Sequence, residues 1–243
     1  MVRLAEEGHT VTSYNPFPKK YSIPNYSNVS LEGCLTVSVT TIEAMSKTST
    51  NPFVSLSLLT LVRNDIELFK NCKPLTQLLD STEKYDVLVT QSYVTDLALI
   101  YASKFDIPVV AGLPNTMAVP WIANRFANPS NPSYISNFLN GRVANVNFRD
   151  RVQNTLMYLL SLSVYRLWLA RNDESVFKYA LGRTVRSLED VAKSTSILLV
   201  NTHDSLFPAF PSVPGVIQVG GMHVKSAEKP PKVSHIILMF IGE

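Results

Sequence analysis

The sequence predicts an α/β fold, a parallel sheet covered by helices on both faces. Three observations carry that expectation. Strand and helix signals alternate along the chain. The strand centres in YDVLVT, IPVVAG and SILLVNT are continuously apolar, the pattern of strands buried on both sides. The 243 residues are enough for one large domain with a substantial core, or for one domain plus a fragment.

Each element follows from local signals. Leu4-Ala5-Glu6-Glu7 are good helix formers, and Gly8 suits the left-handed position just past a helix end. A helix represented only by its last turn cannot offset its own nucleation cost. It predicts missing sequence upstream, the alternative being a frayed terminus ahead of the first strand. HTVTSY (9–14) reads as a strand ending at the NPFP turn (15–18), and VSLEGCLTV (29–37) as a second strand. Residues 53–80 place Leu58, Leu61, Val62, Ile66 and Phe69, then Leu75, Leu78 and Leu79, at helical spacing. Pro74 would start the second of two helices there.

YDVLVT (85–90) and IPVVAG (107–112) are strands, and DLALIYASKF (96–105) between them is a helix with Asp96 as N-cap. Residues 112–147, rich in Pro and Asn, read as a long loop, and residues 148–181 as one or two helices. SLEDVAKS (187–194) opens with a capping box, Ser187 and Asp190. SILLVNT (196–202) and GVIQVGG (215–221) complete the strands. SAEKPPK (226–232) is a charged linker ahead of HIILMFIG (235–242), an apolar run too short to span a bilayer.

Residues 155–170 are strongly apolar but interrupted by Arg166. A core helix is the first reading, a membrane-surface helix the second and a span the third.

Composition excludes several classes. An apolar fraction of 46% rules out a disordered or collagen-like chain. A net charge of +3 with scattered basic residues gives no nucleic-acid footprint. The cysteines, Cys34 and Cys72, permit one bridge at most, and the restriction of bridges to oxidising compartments favours two free structural thiols. His9, His203, His223 and His235 lack a second ligand at metal-site spacing, so no metal is expected.

No GxGxxG, Walker A, GxSxG or HExxH pattern occurs. Gly220-Gly221 reads as a strand-end turn rather than a phosphate cradle, because no helix signal follows it. Asn25-Tyr26-Ser27 and Asn28-Val29-Ser30 are glycosylation sequons, meaningful only in a chain that enters the secretory pathway. In a parallel α/β fold, ligands bind beyond the carboxyl ends of the strands. Those ends carry Gln91-Ser92, Asn115-Thr116, Asn201-Thr202-His203 and Gly221-Met222-His223.

Four stretches, taken in order and spacing, resemble the UDP-glycosyltransferases of animals, most closely the insect type. They are LAEEGHTVT with NPFP, YDVLVTQSYVTD with KFDIPVV, PWIANRFANPSNPSYISN with FRDRVQNTL, and ILLVNTHDSLFPAFPSVPGVIQVGGMHV. Together they cover about residues 2–229.

The resemblance implies the Rossmann-like N-terminal half of a two-domain GT-B enzyme, lacking its first strand and the C-terminal donor domain. Residues 1–225 would be the acceptor-binding domain and 226–243 a linker with an aberrant tail. The reaction implied moves a sugar from a UDP-sugar, a co-substrate rather than a bound cofactor, to a hydroxyl of a small lipophilic acceptor, as in detoxification. The family sits on the endoplasmic reticulum membrane facing the lumen; a chain without leader or anchor would be cytosolic.

In such enzymes a His acts as general base on the acceptor hydroxyl, and an Asp balances its charge. That His would precede Met1, so His9 takes no catalytic role. Gln91 occupies the acid position and cannot carry the charge. Asp96 could substitute for it only if the local geometry shifted, and the N-cap is its first reading. No catalytic residue is therefore expected intact.

Acceptor contacts implied by the resemblance are Gln91, Asn115, Thr116, Met117 and Trp121, with Trp121 equally open to a packing role. Residues 148–180 could contact acceptor or membrane, and the chain could pair with itself or with full-length relatives. An incomplete, inactive portion of the enzyme is the first reading. A non-catalytic acceptor-binding or partner module is the second, and an unrelated nucleotide binder is disfavoured by the missing Gly-rich turn.

Overall fold

The computed structural model describes residues 1–19, 21–34, 69–113, 119–137, 147–182, 186–203, 210–222 and 224. The expected α/β class with parallel strands is present. Helix α1 (Val2–Glu6) ends where Gly8 turns left-handed, at φ 95°. The Gly8 and His9 N–H groups close on the Ala5 and Leu4 carbonyls at 3.1 Å each, a Schellman ending. Strands β1 (Val11–Asn15) and β2 (Tyr26–Ser30) pair in parallel, Val11 opposite Tyr26.

The second strand thus begins before the expected 29–37 and stops at Ser30. There the chain turns through Gly33, at φ 81°, with the Cys34 N–H on the Leu31 carbonyl at 3.0 Å. Only glycine accepts that backbone cheaply, and the weak alternation of side chains concealed it.

Cys34 and Cys72 are bonded to each other, so the expectation of two free thiols is corrected. They are 38 residues apart in sequence, a spacing that says nothing about proximity. The fold brings the turn after β2 to the N-cap of α2 (Lys73–Asp80), where Cys72 is buried. Pro74 lies in the first turn of α2, as expected. The helix expected before it falls at 53–68, outside the described residues; residues 69–71 are helical.

The larger sheet has four parallel strands in the order β3 (Leu88–Gln91), β4 (Val109–Leu113), β5 (Ile197–Val200), β6 (Val216–Gln218). Helix α3 (Leu99–Phe105) crosses from β3 to β4. Val109, Ala111, Leu198, Val200 and Val216 form the buried face. Alternation sends Val89 and Ile217 to the other face, where both are exposed.

Two apolar clusters succeed one another along the buried face. Val109 packs with α2, α3 and the later helices through Leu78, Ile100, Val176, Phe177 and Val191. Two residues nearer the strand ends, Ala111 packs with Trp121, Ile122, Tyr165 and Leu169.

The expected loop at 112–147 contains a helix, α4 (Pro120–Arg125). Pro120 pre-sets its first turn, and Val119, Trp121, Ile122 and Ala123 are all buried. The surrounding Pro and Asn residues disguised it. Its Asn residues tie the segment down rather than loosening it: Asn128 donates to the Pro211 carbonyl and accepts the Val213 N–H, both at 3.0 Å, and the Asn137 amide donates to the Ser161 hydroxyl at 3.1 Å. Asn154, beyond the segment, holds it from outside. The Asn154 side chain accepts the Asn137 N–H at 2.7 Å and donates to the Pro132 and Ile135 carbonyls at 2.6 and 2.7 Å.

Residues 148–181 form one helical run, α5 (Phe148–Val164), a π-helical turn (Tyr165–Leu169) and α6 (Ala170–Leu181). Asn147 and Asp150 cap its start reciprocally. Helix α7 (Leu188–Lys193) is capped by Ser187, whose hydroxyl accepts the Asp190 N–H at 3.2 Å. Gly220 lies in a strand-end turn, and a Cβ there would collide with the Thr202 carbonyl.

Removing the bridge tests its contribution. A Cys34→Ser/Cys72→Ser variant should lose roughly 3–4 kcal/mol by the loop-closure argument, read as a lower urea midpoint. Reduction of the unmodified chain should produce the same shift.

Candidate functional site

The carboxyl end of β3 runs into a hydrogen-bonded segment. Gln91 is the last residue of the strand, paired with Gly112, and its side chain is exposed. The segment after it, residues 92–98, is fixed by groups from three other elements.

The Asp96 carboxylate is the centre of that fixation. Arg125, at the end of α4, meets it fork to fork, Nη1 to Oδ1 at 2.9 Å and Nη2 to Oδ2 at 2.6 Å. The Tyr165 hydroxyl donates to Oδ2 at 2.8 Å, and the Ser92 hydroxyl reaches Oδ1 at 3.4 Å. The Asp96 N–H donates to the Asp173 carboxylate at 2.8 Å. The Arg125 and Asp96 side chains are only 4% and 5% exposed. Arg125 Nη2 also contacts the Tyr165 hydroxyl and Glu189, the latter at 3.3 Å.

The expected N-cap role for Asp96 is therefore corrected. Helix α3 begins at Leu99, with Ala98 in the cap position and no side-chain cap. The Asp96 carbonyl still accepts the Leu99 N–H at 2.9 Å. Its carboxylate is drawn off by Arg125, because a buried bidentate ion pair outweighs a single cap bond.

Trp121 faces the same region from α4. Its ring stacks on Tyr165 at 4.6 Å between centroids, with 2° between planes. Its indole N–H donates to the Tyr93 carbonyl at 2.8 Å. At 3% exposure the ring presents little surface to a ligand. Asn115, Thr116 and Met117 lie outside the described residues, as does His223.

Burial drives the electrostatics. Removal from water would lower the Arg125 pKa, but the adjacent Asp96 carboxylate more than compensates and holds it above its ordinary value. The Tyr165 phenol is raised well above the ordinary tyrosine value, first by burial and then by the Asp96 charge. Both groups keep their protons throughout the physiological range.

A narrow cleft beside this network is lined by Thr90, Gln91, Ser92, Asp96, Arg125 and Phe126. It has room for about one water molecule. The Arg125 Nε–H is buried and finds no hydrogen-bond partner among the described residues. Among the described residues no three His, Cys, Asp or Glu side chains gather to hold a metal ion.

The network's other members were not legible in the sequence. Arg125, Tyr165 and Asp173 stand 29, 69 and 77 residues from Asp96. The one local hint was Arg166 interrupting an apolar run, and it is Tyr165 beside it that turns inward.

Comparison with known proteins adds the family context. A profile described as UDP-glucoronosyl and UDP-glucosyl transferase matches residues 16–238. The UDP-glycosyltransferase UGT5 of Dactylopius coccus is 40% identical over 100% of this chain and 47% of its own length. The UDP-glucosyltransferase 2 of Dactylopius coccus is 28% identical over 94% of this chain and 44% of its own. The UDP-glucuronosyltransferase 2A1 of Mus musculus is 29% identical over 72% and 32%. The chain thus spans about half the length, or less, of the curated relatives it matches. No solved structure matches it.

Two outcomes follow from the network. Arg125→Met leaves the Asp96 charge buried and uncompensated, and should cost about 3–5 kcal/mol in denaturant unfolding. An Asp96→Asn/Arg125→Met variant should recover part of that loss, the signature of a coupled pair. Tyr165, and outside the network the buried Tyr101 of α3, whose hydroxyl donates to the Leu75 carbonyl at 2.8 Å, have folded pKa values raised above the unfolded value of 10.0. Their contribution to stability is complete below that pH and is lost as pH rises beyond it. Tyr165→Phe should flatten the alkaline fall in the thermal midpoint.

Proposed function

The chain belongs to the UDP-glucoronosyl and UDP-glucosyl transferase family, and from that premise we propose that it forms the acceptor side of an enzyme glycosylating a small lipophilic alcohol or phenol. The sugar comes from a UDP-sugar bound by the part of the relatives that this chain does not match. Residues 1–225 constitute the acceptor-binding unit in this reading, the Rossmann-like N-terminal half of a GT-B enzyme, and 226–243 a linker and tail. The observation that carries the proposal is the family match over residues 16–238 in a chain whose parallel sheet ends at an exposed, firmly held Gln91.

Gln91 is the residue we assign to the acceptor. Its carboxamide can accept a hydrogen bond from a hydroxyl and donate one to a neighbouring oxygen. It cannot balance an imidazolium, so it orients without supplying charge. Asp96 cannot take over that task, since Arg125 and Tyr165 already occupy its carboxylate. Asn115, Thr116 and Met117 complete the acceptor contacts in this reading, and Trp121 is held by its stack on Tyr165. The neutral Gln91 also favours a second reading, a non-catalytic acceptor-binding module.

The protein acts at the lumenal face of the endoplasmic reticulum in this reading. A Cys34–Cys72 bridge supports that side of the membrane over the reducing cytosol. No helix among the described residues is long and apolar enough to cross a membrane.

The surface of residues 148–180 supplies the contact. Asn154, Met157, Ser161, Tyr165 and Leu169 face the core. Phe148, Val152, Leu156, Leu159, Leu167 and Trp168 face outward and are exposed. Exposed Arg149, Arg151, Arg166 and Arg171 flank that stripe, and of the acids in the same stretch Asp173 is buried and Asp150 and Glu174 are half-buried. An apolar stripe edged with arginine and tryptophan suits the headgroup layer of an anionic bilayer. Lipophilic acceptors concentrate in that layer.

Binding measurements test both parts. The purified chain should bind a hydrophobic phenol saturably and show no comparable affinity for UDP. Tight UDP binding without phenol binding would overturn the assignment to the acceptor side. The chain should also co-sediment with vesicles containing phosphatidylserine, and Leu156→Glu/Leu159→Glu should reduce that several-fold. Equal sedimentation of the variant would exclude this surface.

A further inference from the structure

We propose that Asn25 is an N-glycosylation site, and that the neighbouring sequon at Asn28 is not used. The inference rests on the lumenal reading above and adds a covalent modification to it. Both sequons satisfy the Asn-X-Ser pattern, Asn25-Tyr26-Ser27 and Asn28-Val29-Ser30. The fold separates them.

Asn25 stands at the tip of a tight turn. The Tyr26 N–H closes on the Ile23 carbonyl at 3.2 Å, with Pro24 and Asn25 as the central pair. Asn25 has φ 58°, the left-handed conformation that a type II turn requires at its second central position and that Asn tolerates well. Its carbonyl accepts the Val11 N–H at 2.8 Å, which anchors the turn to β1. The Asn25 and Ser27 side chains are both exposed, and no side-chain hydrogen bond holds Asn25 among the described residues.

Asn28 is placed differently. It lies inside β2 opposite Ser13, and only part of it reaches solvent. Its Oδ1 accepts the Asn15 amide at 3.4 Å, and its Nδ2 donates to the Lys19 carbonyl at 3.5 Å. A glycan on Nδ2 would displace the second contact and crowd the strand pair.

The independent observation is the Cys34–Cys72 bridge. A disulfide marks an oxidising compartment, which in a eukaryotic cell is also where asparagine is glycosylated. The co-reactant is an oligosaccharide carried on a lipid pyrophosphate, with its transferase. The Asn25 amide nitrogen bonds to C1 of the sugar, and the C1–O bond to pyrophosphate breaks. The lipid pyrophosphate leaves with the bonding pair, and the amide proton passes to a base on the transferase. No electron is transferred.

The full chain, translated behind a cleavable secretory leader into endoplasmic-reticulum microsomes, tests this. A single mobility shift reversed by peptide N-glycosidase is expected, with Asn25 alone converted to Asp in the released peptide. Asn25→Gln and Ser27→Ala should each abolish the shift, and Ser27→Thr and Asn28→Gln should keep it. Ser27→Ala leaves the turn residue in place, so it reads the site even where Asn25→Gln misfolds. Thiol alkylation of the same sample reports the bridge. A blocked thiol pair with no glycan at Asn25, or a shift that survives Ser27→Ala, overturns the site and leaves the lumenal reading standing. Free thiols at both cysteines overturn that reading and this inference together.

Discussion

The structure described here turns on one buried ion pair, Asp96 with Arg125. A carboxylate and a guanidinium removed from water to this degree are tolerated only when their hydrogen-bonding capacity is largely met. Meeting it recruits Tyr165 and Ser92 to the carboxylate, and Glu189 to the guanidinium. The same segment presents its Asp96 N–H to Asp173 and its Tyr93 carbonyl to Trp121. One pair therefore ties the segment after β3 to α4, the π-helical turn, α6 and α7. The π-turn matters here because it inserts its wider step where the long helix passes Asp96. Tyr165 and Leu169, at its two ends, are both buried.

Two other features point to the setting in which the fold works. The bridge from Cys34 to Cys72 links the turn after β2 to the start of α2. The long helix carries apolar side chains on two opposed faces, one against the sheet and one outward. A helix of that kind conflicts with a wholly aqueous surface unless something apolar covers it. The bridge and the outward face are both compatible with the proposed setting, an oxidising compartment and an apolar surface against the helix.

The sequence disclosed what depends on local spacing. Alternating strand and helix signals gave the parallel α/β class, and Gly8, Pro74 and Ser187 marked helix ends where the structure has them. It concealed what depends on contacts distant along the chain. Asp96 looks like an N-cap until Arg125 is brought beside it. Cys34 and Cys72 look unrelated until β2 is placed next to α2. Helix α4 was hidden for a different reason: its signal is only six residues long and lies among prolines and asparagines that ordinarily mark loops. Asn128 among them is structural, because its buried amide donates to the Pro211 carbonyl and accepts the Val213 N–H, using both its groups on free loop backbone.

These constraints bear on what Gln91 can do. The nearest carboxylate following it in the chain is Asp96, and both its oxygens are engaged. Freeing one of them would strand the Arg125 charge in the interior, at a cost of several kcal/mol. That cost rules out a small rotation that would let Asp96 act in place of a charged residue at position 91. Any charge compensation for a base at this strand end would have to come from another part of the molecule. In the proposed reading Gln91 contributes direction: it is a neutral hydrogen-bonding group, exposed at the end of β3 and followed by a segment with little freedom to move. A rigid neutral contact fits selection of an acceptor hydroxyl by geometry better than activation of that hydroxyl by charge.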